Sequence, residues 1–324
     1  MRCHRVALAC LAACGRNRKT SLANVRGSVD FARRRAAGIS KRFCLGLLAV
    51  MIPAGLAGLS GQQLLTGPSH DSGQSVTGAY EGWFHNQDGT FSLLFGYYNR
   101  NLKQELDIPI GAGNRIEPGG PDQGQPTHFL TRRQWGIFTV TVPKDFGSNK
   151  LTWTLTANAV STVVPGSLDP LWELSPFRDA NGNTPPFIGF SASGPFVQGP
   201  RGQSTSLMTV LPNPLDLALW IADDASVVPG ATRPKTPAVT ISWSKFRGPG
   251  SVTFASDKPA VETTDFAAPP ATAFQGKAAT TATFSEPGEY VLRAQANDWS
   301  GEGGRGFQCC WSNAQVKVIV KPAR

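Results

Sequence analysis

The chain reads Tyr80-Glu81-Gly82-Trp83-Phe84-His85, then Asn86-Gln87-Asp88-Gly89-Thr90, then Phe91-Ser92-Leu93-Leu94-Phe95-Gly96-Tyr97. Both outer arms are rich in aromatic and aliphatic residues, which favour β-strands. The Asp-Gly step between them tolerates the positive φ that tight hairpin turns require. The segment therefore predicts a β-hairpin, and it sets the expected class of the protein.

Further strands are predicted on the C-terminal side of this hairpin, at residues 105–110, 136–142 and 151–157. The run Leu151-Thr152-Trp153-Thr154-Leu155-Thr156 alternates apolar and hydroxyl side chains, so one face would be buried and the other would contact water. Strands of this kind pack as pairs of sheets. No segment beyond residue 60 sustains apolar residues at helical spacing. We therefore expect an all-β fold, with a first β-sandwich domain over residues 70–165.

A change of composition follows. Residues 166–202 contain an Asn-Gly, a Pro-Pro and two Gly-Pro steps, and a segment punctuated in this way cannot carry a central strand. It is predicted to be a junction. Beyond it, short apolar runs alternate with turn signals, which predicts a second β-sandwich over residues 203–324.

The second region also contains recognisable sequence. It includes Pro214–Leu219, then Val239-Thr240-Ile241-Ser242-Trp243-Ser244-Lys245, and later Pro287-Gly288-Glu289-Tyr290-Val291. These runs resemble the PKD-type immunoglobulin-like domains of extracellular proteins, and the Pro-Gly-Glu-Tyr turn is the most specific of them. The resemblance implies an immunoglobulin-like sandwich used for spacing, adhesion or display. Residues 70–165 resemble no family of established function.

The positive charge of the chain is confined to its first part. Residues 1–60 hold eleven Lys or Arg against one acid, Asp30, which gives this segment a charge of +10 and leaves −1 on the rest. The basic stretch runs into the apolar residues Phe43–Ile52 and then into small residues, the order found in secretory signals. Residues 1–60 are therefore predicted to be a basic leader and signal peptide. A retained membrane anchor and a buried core helix remain as alternatives.

Three consequences follow for location and partners. An exported protein would reside in the periplasm, in the extracellular space or on the cell surface, and it would contact a membrane only through the signal. Nucleic-acid binding is not expected, because the part beyond the leader has no net positive charge to exchange for counterions. A polysaccharide or another surface protein is the expected partner.

The cysteines are also divided between the leader and the rest of the chain. Cys3, Cys10, Cys14 and Cys44 lie in the leader, which leaves the adjacent pair Cys309-Cys310 beyond it. Adjacent α-carbons are closer than an ordinary disulfide requires. The pair is therefore a redox candidate with several open interpretations: two thiols, a vicinal disulfide, or metal or intermolecular bonding.

The catalytic motifs in the sequence are incomplete. Gly189-Phe190-Ser191-Ala192-Ser193-Gly194 approximates a nucleophile elbow, but the histidine of that arrangement follows the serine, and here His70, His85 and His128 all precede it. No closely spaced histidines predict a zinc site, and no glycine cluster precedes a predicted helix. We therefore predict no catalytic residue, no metal and no cofactor. A glycoside hydrolase that uses a carboxylate pair remains the minor alternative, with Glu81, Asp88, Glu105 and Asp107 as available acids.

Recognition is the function that the sequence favours. Tyr97 and Tyr98 are adjacent on a predicted strand, so one ring would face the core and the other would face outward. An outward ring beside polar side chains could stack on a sugar or anchor a protein partner. The candidate ligand-binding residues are Trp83, Tyr97, Tyr98, Asn99, Arg100, Asn101, Arg132 and Arg133. The alternatives are that most of the rings are core and that the arginines lie on a solvated loop. The sequence thus predicts a secreted or cell-surface, non-enzymatic structural or binding protein, with a carbohydrate-binding β-sandwich as the first alternative.

Overall fold

A computed structural model describes residues 70–180, 182–226, 238–299 and 309–323. The predicted signal peptide, residues 1–60, lies outside these ranges. The strands are β1 (Val76–His85), β2 (Phe91–Asn99), β3 (Leu106–Asp107), β4 (Asn114–Glu117), β5 (His128–Phe129), β6 (Arg132–Val142), β7 (Lys150–Ala157), β8 (Val160–Ser167), β9 (Phe187–Gly189), β10 (Gln203–Val210), β11 (Leu215–Asp223), β12 (Thr240–Arg247), β13 (Val252–Phe254), β14 (Val261–Thr263), β15 (Phe274–Phe284), β16 (Gly288–Asn297) and β17 (Trp311–Lys321). A single 3₁₀ turn, Pro170–Trp172, accompanies them, and the described residues contain no α-helix. The all-β prediction is confirmed.

Strands β1 to β8, here called the N-terminal layers, form two three-stranded sheets and one small ladder. The first sheet has the order β1-β2-β6, the second has the order β4-β7-β8, and β3 pairs with β5. Aromatic rings fill the space between the two sheets. The Phe95 ring stacks on Phe138 at 5.3 Å and 15°, and Trp153 meets Phe138 edge-on at 5.1 Å.

The hairpin predicted from the sequence is formed by β1 and β2. Its turn is closed by the Asn86 amide, which donates to the Thr90 carbonyl at 2.9 Å, and Gly89 has a φ of 81°. The ladder runs from Val76 opposite Asn99 to His85 opposite Phe91, with a register shift between Tyr80 and Gly82. The prediction of a hairpin over this segment is confirmed, and each arm extends beyond the predicted residues.

Strands β9 to β17, here called the C-terminal layers, form a second pair of sheets. One sheet has the order β10-β17-β16-β12, and the other has the order β13-β15-β11-β9 with β14 also paired to β15. Their shared core is aliphatic and rich in alanine, from Leu217, Leu219 and Ile221 on one sheet to Leu292, Ala294 and Val316 on the other. β10 joins β17 in parallel, whereas every other ladder between these strands is antiparallel.

The Pro-Gly-Glu-Tyr segment makes the turn into β16. Gly288 has a φ of 146°, a conformation that favours glycine. Tyr290 is 1% exposed, and its hydroxyl donates to the Glu286 carbonyl at 2.9 Å while it accepts from the Gly250 amide at 3.1 Å. A buried hydroxyl with both partners satisfied fixes the loop before β13 against this turn.

Polar contacts join the N-terminal and C-terminal layers. Asn313 on β17 donates to the Gly136 carbonyl at 2.9 Å, and the buried Arg293 guanidinium donates to Asn313 Oδ1 at 2.7 Å. Trp311 packs with Phe84 and Leu94 of the first sheet. All of the described residues lie in one compact unit. The domain boundaries 70–165, 166–202 and 203–324 remain predictions. Within the described ranges, no helix is long and apolar enough to span a membrane.

Candidate functional site: a cleft between the layers

A cleft of about 720 Å³ opens where the N-terminal and C-terminal layers meet. This volume lies within the range of small-molecule sites. The lining residues are Glu105, Asp107, His128, Leu130, Thr131, Gln134, Trp243, Ser244, Lys245, Pro249, Gly250, Ser251, Val252, Phe254, Asp257, Ser285 and Glu286. Most of these side chains are polar, so the cleft suits a polar ligand.

His128 is held on both of its ring nitrogens. The β3–β5 ladder sets Asp107 opposite His128, and the two side chains meet at 2.9 Å, from Nδ1 to Asp107 Oδ1. On the other side, Nε2 lies 3.0 Å from Glu105 Oε2. Two ionised carboxylates only accept hydrogen bonds, so both contacts are satisfied together by the imidazolium form. The hydrogen bond from His128 lowers the pKa of Glu105.

Lys245 extends this network across the cleft. It lies on β12, its side chain is 8% exposed, and its Nζ donates to Asp107 Oδ1 at 3.1 Å. Two residues further on, the Arg247 guanidinium binds both oxygens of Asp122, at 2.9 and 2.8 Å, which lowers the pKa of Asp122. A register shift in β12 between Lys245 and Arg247 accompanies this arrangement. Lys245 therefore attaches the C-terminal layers to β3, and Arg247 attaches them to the loop that contains Asp122.

The rest of the lining carries acids, hydroxyls and two rings. Asp257 and Glu286 line the cleft, and the Trp243 amide donates to the Asp257 carbonyl at 2.7 Å. The Trp243 and Phe254 rings lie 6.4 Å apart at 29°. Four carboxylates thus face Lys245 and His128. The cleft is electronegative even with His128 protonated.

The surroundings of the four acids bear on the alternative that the protein is a glycoside hydrolase with a carboxylate pair. A glycosidase needs two carboxyl groups that flank a bond or a water, but the imidazole of His128 occupies the space between Glu105 and Asp107. Glu81 is buried, where it accepts from Arg133 and from the Gly136 amide, and burial raises its pKa. Asp88 lies in the hairpin turn, where it accepts from Thr90. Each of these four acids is thus engaged by another side chain or by a backbone amide.

Four of the eight predicted ligand-binding residues are buried. Trp83, Tyr97, Asn99 and Asn101 lie in the core. Asn101 Nδ2 donates to Asn99 Oδ1 at 2.8 Å, and the Tyr97 hydroxyl accepts from the Leu130 amide at 2.8 Å. Their polar atoms therefore hold the ends of β1, β2 and the following loop together. A binding role for them remains a prediction.

Tyr98, Arg100 and Arg132 are exposed. Tyr98 is 42% exposed, whereas Tyr97 is buried, as the alternation of a strand requires. The Arg100 guanidinium lies 5.8 Å from the Tyr98 ring centroid. These residues do not line the cleft.

Arg133 is partly buried and has several partners. Its guanidinium lies 3.7 Å from the Trp135 ring centroid, and it donates to Glu81 and to the Tyr97 carbonyl. The guanidinium therefore stacks on the Trp135 ring. The charge of Arg133 is matched by Glu81, so this pair stabilises the first sheet.

Cys309 and Cys310 lie in the C-terminal layers with their sulfur atoms bonded to each other. Both are buried, and the Cys310 sulfur lies 3.4 Å from the Asn183 carbonyl oxygen. A redox role for the pair remains a prediction. Across the described part of the chain, no three His, Cys, Asp or Glu side chains are grouped to hold a metal ion.

The sequence analysis named Glu105, Asp107 and His128, but it did not place them in one cleft or single out the other lining residues. Asp107 and Lys245 are 138 positions apart, and no sequence motif links them. The one available signal was that Glu105 and Asp107 stand two apart on a strand-like run, which places both on one face.

No protein-family model matches the chain, and no curated protein matches it. Solved structures similar to it include domains 4 and 5 of the S-layer protein SbsC, at 10% identity over 76% of this chain and 98% of that chain, with a TM-score of 0.18. The D00-D0 domain of intimin matches at 12% identity over 75% and 99% of the two chains, with a TM-score of 0.21. CfaE, the adhesive subunit of the CFA/I fimbria of enterotoxigenic Escherichia coli, matches at 8% identity over 79% and 83%, with a TM-score of 0.22. These likenesses establish no family.

Proposed function

We propose that this chain is an exported, non-enzymatic binding protein of the cell surface or extracellular space, and that the cleft holds its ligand. The observation that carries the proposal is the network of Glu105, His128, Asp107 and Lys245. Each basic group in it already has an acidic partner, so none is left as a free base or nucleophile. Such a network fixes the shape of the cleft, and a fixed polar cleft favours recognition.

The charge of the cleft favours a positively charged ligand. Asp257 and Glu286 add two carboxylates to a cleft whose Lys245 and His128 are already paired. An amine or guanidinium group carried by another surface protein would complement this charge and gain from the low dielectric of a cleft. Arginine or lysine side chains of a partner protein are therefore the proposed ligand groups.

A carbohydrate is the second candidate. Ser244, Ser251, Ser285 and Thr131 offer hydroxyl groups, and the partly buried Phe254 ring, which packs against the buried Trp243, adds an apolar surface. Such a wall suits a neutral polyhydroxyl ligand. The two candidates differ in salt dependence, because only the cationic ligand binds through net charge.

Calorimetric titration distinguishes the candidates. We expect a lysine- and arginine-rich peptide to bind at low salt and to weaken at least about tenfold in 0.5 M NaCl, because screening shortens the Debye length. Glu286→Gln with Asp257→Asn should weaken it similarly, whereas Asp216→Asn, an exposed acid on β11, is the matched control. Salt-independent binding of neutral oligosaccharides would favour the second candidate. Equal peptide binding by all variants would contradict the cleft as the site.

Export and the absence of catalysis are tested separately. Fractionation of the producing cells with N-terminal sequencing should recover a mature chain that begins after the apolar segment near Ala57 and Gly58. Incubation with polysaccharides should release no reducing sugar. Full-length protein in the cytosol would contradict export, and release of reducing ends would contradict the non-enzymatic proposal.

A further inference from the structure

β10 is an edge strand, and it carries none of the features that usually protect a sheet edge. It pairs with β17 on one side only and ends the sheet β10-β17-β16-β12. Its eight residues, Gln203-Ser204-Thr205-Ser206-Leu207-Met208-Thr209-Val210, include no charge and no proline. Its ladder with β17 continues from Gln203 to Val210 without a register shift. An uncharged, regular edge of this length presents unpaired amide and carbonyl groups to any strand that can align with it.

The other described edges are each protected. β12, the opposite edge of the same sheet, has Lys245, Arg247 and a register shift. β1 has a register shift at Tyr80 and contains Glu81, β6 begins with Arg132 and Arg133, and β8 contains Pro165. β3, β4, β5, β9, β13 and β14 have four residues or fewer. The described chain therefore leaves β10 as its one long edge without a charge, a proline or a bulge.

Apolar side chains lie at the middle of this edge. Leu207 and Met208 are 37% and 52% exposed, and Ile319, which stands beside Met208 on β17, is 46% exposed. Leu207 and Met208 are the fifth and sixth residues of the strand. An antiparallel pairing of two copies about a two-fold axis at this point brings Leu207 and Met208 of both copies together.

We propose that two copies of this chain associate through antiparallel pairing of their β10 strands, which joins two four-stranded sheets into one. A second copy fits this edge because a neutral strand meets itself without like-charge repulsion. The two-fold axis also limits the assembly to two copies, because the pairing occupies the β10 edge of both. The backbone supplies the hydrogen bonds, and the central apolar side chains supply the buried area.

Sedimentation equilibrium of the mature chain tests this proposal. We expect the mass to rise with concentration from one copy to two and then to level off. Ser206→Lys with Met208→Lys places charges on the edge and should raise the dimer dissociation constant at least about tenfold. Thr240→Lys, an exposed position on the opposite edge strand β12, is the matched control and should leave the constant unchanged. Circular dichroism would verify that all variants are folded.

Hydrogen exchange locates the contact. At concentrations above the dissociation constant, the amides of residues 203–210 should exchange more slowly than at low concentration. A single-copy mass at about 1 mM, the range of very weak binding, would overturn the proposal. So would equal dimerisation of the parent and the variant that combines Ser206→Lys with Met208→Lys, unlimited growth of the mass, or protection confined to other strands.

Discussion

The N-terminal and C-terminal layers have the same two-sheet architecture but different interiors. Rings fill the N-terminal core, where Phe95, Phe129, Phe138 and Trp153 contact one another. Leucine, valine and alanine fill the C-terminal core. The three-stranded sheets enclose a space that large rings can fill, whereas the four- and five-stranded sheets of the C-terminal layers bury enough area with smaller side chains. The two regions therefore share an architecture that follows from the alternation of their strands, and they differ in the size of the side chains that fill each core.

Removal of the central ring should give the largest effect. Trp153 is fully buried, and its Nε1 donates to Asn114 Oδ1 at 3.0 Å. Trp153→Ala leaves a cavity and an unsatisfied amide oxygen, so we expect a loss of about 3–5 kcal/mol in the free energy of unfolding. Leu219→Ala in the aliphatic core should cost less, about 2–3 kcal/mol. Urea unfolding followed by circular dichroism measures both, and a larger loss for Leu219→Ala would contradict the comparison.

A buried carboxylate also makes the C-terminal layers sensitive to pH. Asp223 is buried beside Asp224, and burial raises its pKa from 3.8 to about 7. The folded state therefore holds a proton that the unfolded state releases near pH 4. Stability from this group is greatest below pH 4 and falls as the pH rises to 7, by about 4 kcal/mol at 1.36 kcal/mol per unit.

Asp223→Asn removes this titration. The free energy of unfolding of the variant, relative to that of the parent, should increase between pH 4 and pH 7 and then stay constant. Urea unfolding across this pH range measures the difference. Asp216→Asn, at an exposed position on the same strand, is the control. Parallel pH profiles for Asp223→Asn and the parent would show that Asp223 titrates normally.

A smaller and opposite pH dependence is expected at the cleft. The hydrogen bond from His128 lowers the pKa of Glu105, so this carboxylate stabilises the fold above the unfolded pKa and loses that contribution as the pH falls. Its side chain is about half exposed, so water screens the pair. Glu105→Gln should lower the free energy of unfolding by less than about 1 kcal/mol at pH 7. This difference between the variant and the parent should vanish in acid, and the urea midpoints of both proteins at pH 7 and pH 3 measure it. A cost that grows in acid would contradict this sign.

The sequence predicted local features more fully than long-range ones. The hairpin was predictable because Asp88-Gly89 and its two arms are adjacent in the chain. The predicted strand over residues 105–110 was wrong in extent, since only Leu106–Asp107 pairs; Pro109 has no amide to donate. β10 was missed because its sequence lacks alternation and its partner, β17, lies about a hundred residues away.

The cleft could not be predicted from the sequence, because its residues are also far apart in the chain. Its two walls come from segments that meet only after both pairs of sheets have packed, as the Asp107–Lys245 contact illustrates. At residues 97–101 the sequence indicated that one tyrosine faces outward. It could not indicate that Asn99 and Asn101 satisfy each other in the interior, because side-chain networks depend on three-dimensional proximity.

Substitution of Tyr98 should change the free energy of unfolding least, and its contrast with substitution of Tyr97 tests the comparison within one strand. Tyr97 contributes to the aromatic core and meets Phe129 at 4.9 Å, whereas Tyr98 projects beside Arg100. Tyr98→Ala should change the free energy of unfolding by less than about 0.5 kcal/mol, as exposed substitutions do, while Tyr97→Ala should cost about 3–5 kcal/mol, as for other buried rings. Urea unfolding of both variants measures the contrast. A substantial loss for Tyr98→Ala would mean that this ring is covered in the folded protein, so the outward face of β2 would belong to an interface and not to open solvent.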